Sequence, residues 1–350
     1  MSVLMRDVAR KAGVSITTVS HVLNDTRPVA AKTRARVLRA AAELNYYKNT
    51  SARLLVRGRS DLLGLIISDI ENPFYPELIK SFEQACAAQK MEVLLSATNY
   101  DDSQAENALR RMLESRVQAV AVMTSQFRPE LEAQLTERGI PRVLLGSPPA
   151  SAYHSNIAID YRKGLAEAIR HLHNLGHQRI AIATGPQDQV SARDFLQAAI
   201  VELRKLGLAA YRIIEGDHRP ESGARAIVEL LEQNRDRPSA LICGNDRMAI
   251  GALSAANDLG FHVPEDISIV GADDVWVSRY SNPPLTTIRI PRDRLGRLAF
   301  EVLAKMLRSK KKSGAEHVLE TELVVRRSTA EANRPAARGR WRGKTERQAR

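Results

Sequence analysis

From residue 61 to about residue 330 the chain alternates short apolar runs with longer amphipathic stretches. The runs 62–67, 93–97, 117–123, 142–145, 157–159, 180–183, 240–243 and 267–270 are short and predominantly apolar, as expected of parallel strands buried on both faces. Between them, stretches 75–89, 104–114, 130–138, 163–175, 192–206, 221–233 and 247–259 repeat apolar residues at helical spacing. Gly176, Gly207 and Gly260 stand where helices must stop. This grammar predicts an open α/β architecture. Some 270 residues exceed one such sheet, and the pattern divides near Asp160. A helix over 293–307 and a strand over 318–325 are left over and are expected to return to the first lobe. The expected division is lobe 1 at 61–160 and 291–328, and lobe 2 at 161–290. A ligand cleft is expected between the carboxyl ends of the strands.

The first sixty residues follow another rule. Val8, Ala9 and Ala12 form one small apolar face and Val19, Val22 and Leu23 the next. Gly13 can take positive φ at the corner, Val14 can pack it, and Ser15 can cap the second helix. A third helix is predicted over 31–44 with Val37, Leu38, Ala41 and Leu44 inward. This is a helix-turn-helix pattern, whose second helix enters the DNA major groove. That helix carries Ile16, Thr17, Thr18, Ser20 and His21 on its outer face, compact groups suited to base edges and phosphates. Residues 48–60 are short, basic and too brief for an isolated helix. They read as a linker when free and a hinge helix against a partner, with a leucine able to wedge between base steps.

Charge sharpens the picture. The chain carries a formal +12, and residues 1–60 hold twelve Lys/Arg against three acids, a net +9. Residues 331–350 add a further net +5, so the body between is nearly neutral. A basic head on a neutral body points to double-stranded DNA as partner of the head alone. Cys86 and Cys243 lie far apart in apolar runs and read as free thiols of a reducing compartment. No export signal, membrane-length apolar run or metal spacing is evident, so a cytoplasmic protein without cofactor or metal is expected. His171 and His173 are not at i, i+4, which disfavours ligation.

The motifs Asp7-Val8-Ala9, Gly13-Val14-Ser15, Val19-Ser20-His21-Val22-Leu23-Asn24, Ala52-Arg53-Leu54-Leu55, Asn72-Pro73-Phe74-Tyr75, Leu175-Gly176-His177, Gly244-Asn245-Asp246, Gly271-Ala272-Asp273-Asp274 and Pro284-Leu285-Thr286-Thr287-Ile288 occur in fixed order. Together they resemble the lactose-repressor/galactose-repressor (LacI/GalR) family over about residues 3–328. The resemblance implies an all-α helix-turn-helix domain at 1–47, a hinge at 48–60, and a two-lobed periplasmic-binding-protein-like α/β domain at 61–328 built on two doubly wound parallel sheets. The tail 329–350 is expected to be disordered. The implied function is a homodimeric repressor that binds a palindromic operator and senses a small molecule, sugar-like or nucleobase-like, between the lobes.

By that resemblance Ile16, Thr17 and His21 read bases, while Ser15, Thr18, Ser20 and Asn24 serve phosphates. Arg53 and Leu55 belong to the hinge, with Leu55 the minor-groove wedge. Phe74, Tyr75, Met123, Ser125, Asp160, His218, Asn245 and Asp273 fall at effector-lining positions. One departure is marked: Phe195 stands where the family places a ligand-clamping arginine, with Arg193 two residues earlier. A bidentate fork is thereby replaced by an apolar ring. Leu4 also replaces the usual hydroxyl cap of the first helix. The alternatives are a dual activator/repressor with an atypical or absent effector, and a sugar-binding protein. An enzyme would need an acid–base or nucleophilic constellation that the sequence does not display.

Overall fold

The computed structural model describes residues 3–46, 60–124, 127–146, 150–232, 237–309 and 313–332. The chain falls into two compact units, 1–60 and 61–350. In the first unit, helices α1 (Met5–Ala12), α2 (Ile16–Asn24) and α3 (Ala31–Glu43) enclose a small core. Val8, Ala9, Ala12, Val19 and Val22 are buried there, with Val14 and Leu23 packed at its edge. On α3 the buried stripe runs Val37, Ala40, Ala41, and Leu38 is 47% exposed, against the expectation that it faces inward. Position 38 lies about 100° round the helix from position 37, outside the 37/40/41/44 stripe.

The second unit contains two six-stranded sheets. The first has the order β11-β5-β4-β3-β1-β2, from β1 (Leu62–Ile67), β2 (Glu92–Ala97), β3 (Val120–Met123), β4 (Arg142–Leu145), β5 (His154–Asp160) and β11 (Glu316–Glu320). The second has the order β12-β10-β9-β8-β6-β7, from β6 (Ile180–Thr184), β7 (Ile213–Glu215), β8 (Ala240–Cys243), β9 (Ser268–Asp273), β10 (Thr286–Arg289) and β12 (Glu322–Val324). All pairings are parallel except β10 with β12. Each sheet thus repeats the doubly wound 2-1-3-4-5 order, with helices on both faces.

The helices are α4 (Tyr75–Ala88), α5 (Asp102–Glu114), α6 (Pro129–Glu137), α7 (Arg162–Asn174), α8 (Val190–Lys205), α9 (Pro220–Leu231), α10 (Asp246–Asp258) and α11 (Arg292–Arg308). Apolar clusters fill both faces of each sheet.

The chain passes between lobes three times, at Tyr161, at Ile290–Pro291 and at Thr321. The third passage differs from the expected single strand 318–325. That stretch divides at Thr321, and β12 joins the second sheet, so residues beyond 321 leave lobe 1. Thr321 is buried, and its hydroxyl ties this passage to both sides of the one at Tyr161. It donates to Asp160 O (2.9 Å) and accepts from Gly164 N (3.2 Å). A side chain at position 164 would collide with it. Two strands escaped the hydropathy pattern. β7 is a three-residue edge, and β10 begins with the buried threonines Thr286 and Thr287. The chain expected to be tail from 329 also packs on the second lobe as far as residue 332. Ala332 N reaches Leu175 O (2.7 Å), and His171 meets Thr329 (2.9 Å).

Candidate functional site

Two places carry the chemistry. In the first unit, α1 ends at Gly13, whose φ of 60° lets Val14 N return to Ala9 O (3.1 Å). Ser15 then caps α2, accepting from Thr18 N (3.0 Å) and pairing with the Thr18 hydroxyl (2.8 Å). Arg36 of α3 bonds the carbonyls of Ala12 and Gly13, so the turn is clamped from the third helix. Leu4 offers no side-chain cap, yet Asp7 still accepts from Leu4 N (3.0 Å), keeping half of a capping box.

On α2, Ile16 is 53% exposed and Thr17 is exposed beside it. His21 is half-buried and bonds Thr26 (2.8 Å), and Asn24 bonds Ser20 (3.2 Å). The three acids of this unit each hold one basic side chain, which leaves the surplus of nine positive charges intact. Arg10 pairs with Asp7, Lys11 with Glu43 and Arg34 with Asp25. Arg53 and Leu55 lie outside the described residues.

In the second unit, a cleft of about 830 Å³, counted to its open mouth, lies where the carboxyl ends of both sheets meet. From the first lobe come Ser68, just past β1, then Asn72, Phe74, Tyr75 and Tyr100. Asn72 Oδ1 accepts from Phe74 N (3.0 Å) and shapes the turn that starts α4. The Tyr75 hydroxyl donates to Ser68 (2.9 Å), which donates to Thr124 (2.8 Å), so this ring is held by a buried hydroxyl chain. Phe74 and Tyr75 meet edge to face at 5.2 Å.

From the second lobe come Asp194, His218, Asn245 and Asp273. Asn245 caps α10, accepting from Met248 N (2.8 Å) and donating to His218 O (3.0 Å). The His218 ring occupies the space that a side chain at Gly185 would need. Burial pushes the His218 imidazole down to about 4, outweighing the nearby Asp217, so it is neutral at physiological pH.

Asp273 has φ 116° and Asp274 φ 55°, two successive non-glycine residues in sparsely populated backbone regions. Their neighbours hold them there. Arg292 at the start of α11 bonds Asp273 O and Asp274 O (2.7 Å for the latter) and pairs with Glu77 of α4 (2.7 Å). Buried Asp246 accepts from Val275 N (2.8 Å) and from the hydroxyls of Ser278 and Thr287. Asp274 pairs with Arg289 (2.8 Å) and Arg326. Asp273 is 8% exposed, and burial, reinforced by Asp246, pushes its carboxyl well above the usual range. Its carboxylate oxygens have no hydrogen-bond partner among the described residues.

The cleft therefore gathers Phe74, Tyr75, His218, Asn245 and Asp273, and leaves out four other expected residues. Met123 ends a central strand covered on both faces and is fully buried in the core. Asp160 is bound twice over by Arg162 (2.8 and 2.6 Å) and lines a separate shallow depression. Arg193 turns back on its own loop, donating to Gln187 O (2.9 Å) and Asp188 O (2.8 Å). Phe195 is 2% exposed in the second-lobe core, edge to face with Tyr161 at 5.4 Å. Ser125 lies outside the described residues.

Residues that the sequence reading missed include Asn72, Tyr100, Tyr161, Gln189, Ser191 and Asp194. Helical spacing held a signal for two of them. Phe195, Ala198, Ala199 and Leu203 form the buried stripe of α8, which leaves Ser191 and Asp194 together on a neighbouring face.

Comparison with known proteins agrees with this anatomy. Residues 4–49 match the family described as bacterial regulatory proteins, lacI family, and residues 169–329 match a periplasmic binding protein-like domain. The chain is 37% identical over 331 residues to the HTH-type transcriptional repressor PurR of Proteus mirabilis (strain HI4320), covering 93% of this chain and 97% of that protein. It is 36% identical over 332 residues to PurR of Klebsiella pneumoniae (strain 342), with the same coverage. The solved Lac repressor dimer bound to operator and the anti-inducer ONPF superposes with a TM-score of 0.82 at 30% identity, covering 94% of this chain and all of that one. The regulator CelR in complex with cellobiose superposes at 0.70, also 30% identical, over 93% of this chain and 99% of that one. A helix-turn-helix head, two doubly wound lobes and relatives matched over nearly their whole length place the chain in the lacI family of bacterial regulatory proteins, as a DNA-binding transcription regulator and not an enzyme.

Proposed function

We propose that this protein is a cytoplasmic, homodimeric repressor that binds a palindromic operator and whose operator affinity is set by a small molecule in the interlobe cleft. The observation that carries the DNA half is the outer face of α2. Ile16 and Thr17 stand clear of the core on a helix that Ser15 and Arg36 hold rigidly, as a base-reading surface must be. Ile16 suits a thymine methyl, and His21 can exchange hydrogen bonds with a base edge. Ser15, Thr18, Ser20 and Asn24 face phosphates and set register. Arg53 and Leu55 complete the contact from the hinge. The dimer half rests on an exposed aromatic pair, Trp276 (63%) and Tyr280 (78%), which a second copy would cover. The effector half rests on the aromatic and polar cleft, with Phe74, Tyr75, His218, Asn245 and Asp273 as its contacts.

Effector binding need only favour one lobe arrangement to change operator affinity. The test is selection of binding sites from random duplex DNA by the full chain, followed by titration of the winning sequence at several salt concentrations. The expected result is an inverted repeat whose affinity falls with salt and drops about tenfold or more in Thr17→Ala or His21→Ala. Enrichment of no sequence over random DNA would refute the reading.

A further inference from the structure

The second-lobe wall of the cleft is acidic. Asp194 on α8 and Asp273 at the end of β9 both line it, and the Tyr161 hydroxyl between them feels both carboxylates. No lysine or arginine is among the described residues lining the cleft. The cations nearest to Asp273 are committed elsewhere. Arg292 binds Glu77 and two backbone carbonyls, and Arg247 pairs with Asp69 at 3.2 Å. Arg193, in the first turn of α8, is folded onto the carbonyls of the preceding loop. The 8% exposed carboxylate of Asp273 thus faces the cleft without a hydrogen bond. Burial opposes ionisation of this carboxyl, and a cationic donor in the cleft is the partner that restores its charged form.

The opposite wall is different in kind. Phe74 and Tyr75 give a ring surface, and the Tyr75 hydroxyl is already donating to Ser68. On the second-lobe side, His218 is neutral and can lie against a flat group without adding charge.

We propose that the effector of this cleft is a cation, a small molecule with a protonated amine or amidine held between Asp194 and Asp273 and a flat or apolar body resting on Phe74 and His218. The inference rests on the cleft being the effector site. It disfavours carboxylates and phosphates, which the Asp194 carboxylate would repel, and neutral polyols, which would bring no cation to the buried Asp273 carboxyl.

The test uses the full chain and thermal unfolding, with ligand affinities from calorimetric titration. Benzamidine, benzylamine and tyramine are compared with their uncharged and anionic counterparts benzyl alcohol, benzoate and 4-hydroxyphenylacetate. The expected result is that the cations raise Tm and bind at least tenfold more tightly than either counterpart. That preference falls at least tenfold in Asp194→Asn and in Asp273→Asn, and Asp194→Lys shifts it toward benzoate. Asp194 is exposed, so its variants keep the fold intact if Asp273→Asn does not.

Equal or tighter binding of the alcohols or carboxylates would overturn the proposal, as would cation binding that survives both asparagine variants. Hypoxanthine and cellobiose serve as further neutral probes. If either binds wild type and is lost in Phe74→Ala, the cleft is an effector site of another chemistry, and only the cation is refuted. If no probe of any charge binds, both the cation and the effector reading fail.

Discussion

The two lobes share one strand order and present opposite chemistry at the same edge. The first-lobe rim is aromatic and neutral, with Phe74 and Tyr75 locked by each other and by the Ser68–Thr124 hydroxyl chain. The second-lobe rim is acidic and strained, with Asp273 and Asp274 in sparsely populated backbone conformations held by Arg292 and Asp246. A doubly wound sheet dictates where a ligand sits, not what it is; the residues just past the strand ends decide that. Here one rim offers a packing surface that contributes to stability. The other holds a buried carboxyl, Asp273, with no hydrogen-bond partner for its side chain among the described residues.

That contrast can be broken from either side. Phe74→Ala opens a cavity in a well-packed edge, and denaturant unfolding should show a loss of about 3 kcal/mol together with loss of cleft binding. Arg292→Ala removes the donors that hold the Asp273–Asp274 turn and leaves Glu77 unpaired. It should cost about 2 kcal/mol, and amide exchange of residues 272–275 should rise more than that of the first-lobe rim.

His218 gives the contrast a pH signature. Its pKa of about 4 in the folded chain lies below its ordinary 6.5, so the unfolded chain takes up the proton first as pH falls. Stability therefore declines between about pH 6.5 and 4, by about 2 kcal/mol, and His218→Phe should show a shallower acid slope. Asp273→Asn has the smallest effect on stability and the opposite sign. Removing a buried carboxylate with a raised pKa should stabilise the empty protein by about 1 kcal/mol while weakening ligand binding.

These particulars also show what the sequence could and could not disclose. Predominantly apolar runs flanked by amphipathic stretches disclose most strands and all eight α-helices among the described residues of the two lobes, because both-face burial leaves that imprint. β10 was silent, since its first two residues are threonines that satisfy a buried hydroxyl network in place of apolar packing. The division of 316–324 between two sheets was equally silent. Both strands read as one run, and only the tertiary role of Thr321 separates them.

In the head, local helical spacing settles which side chains face out, so Ile16 and Thr17 were legible. The exception, Leu38, was a misjudged stripe. In the cleft, the family resemblance points to positions, but side-chain direction depends on what each residue can bond. Phe195 has no polar tip and goes to the core, Arg193 finds carbonyls at home, and Asp194 is left facing the ligand space.

Under the proposed function, occupancy of the cleft is thermodynamically linked to binding of DNA. This linkage is tested most directly by titrating the selected palindrome into the full chain with and without the tightest cleft ligand, and that ligand with and without the palindrome. The account predicts that each changes the affinity of the other by the same factor, at least fivefold, and that Asp273→Asn abolishes the change. Operator affinity that is identical with the cleft filled and empty would contradict it.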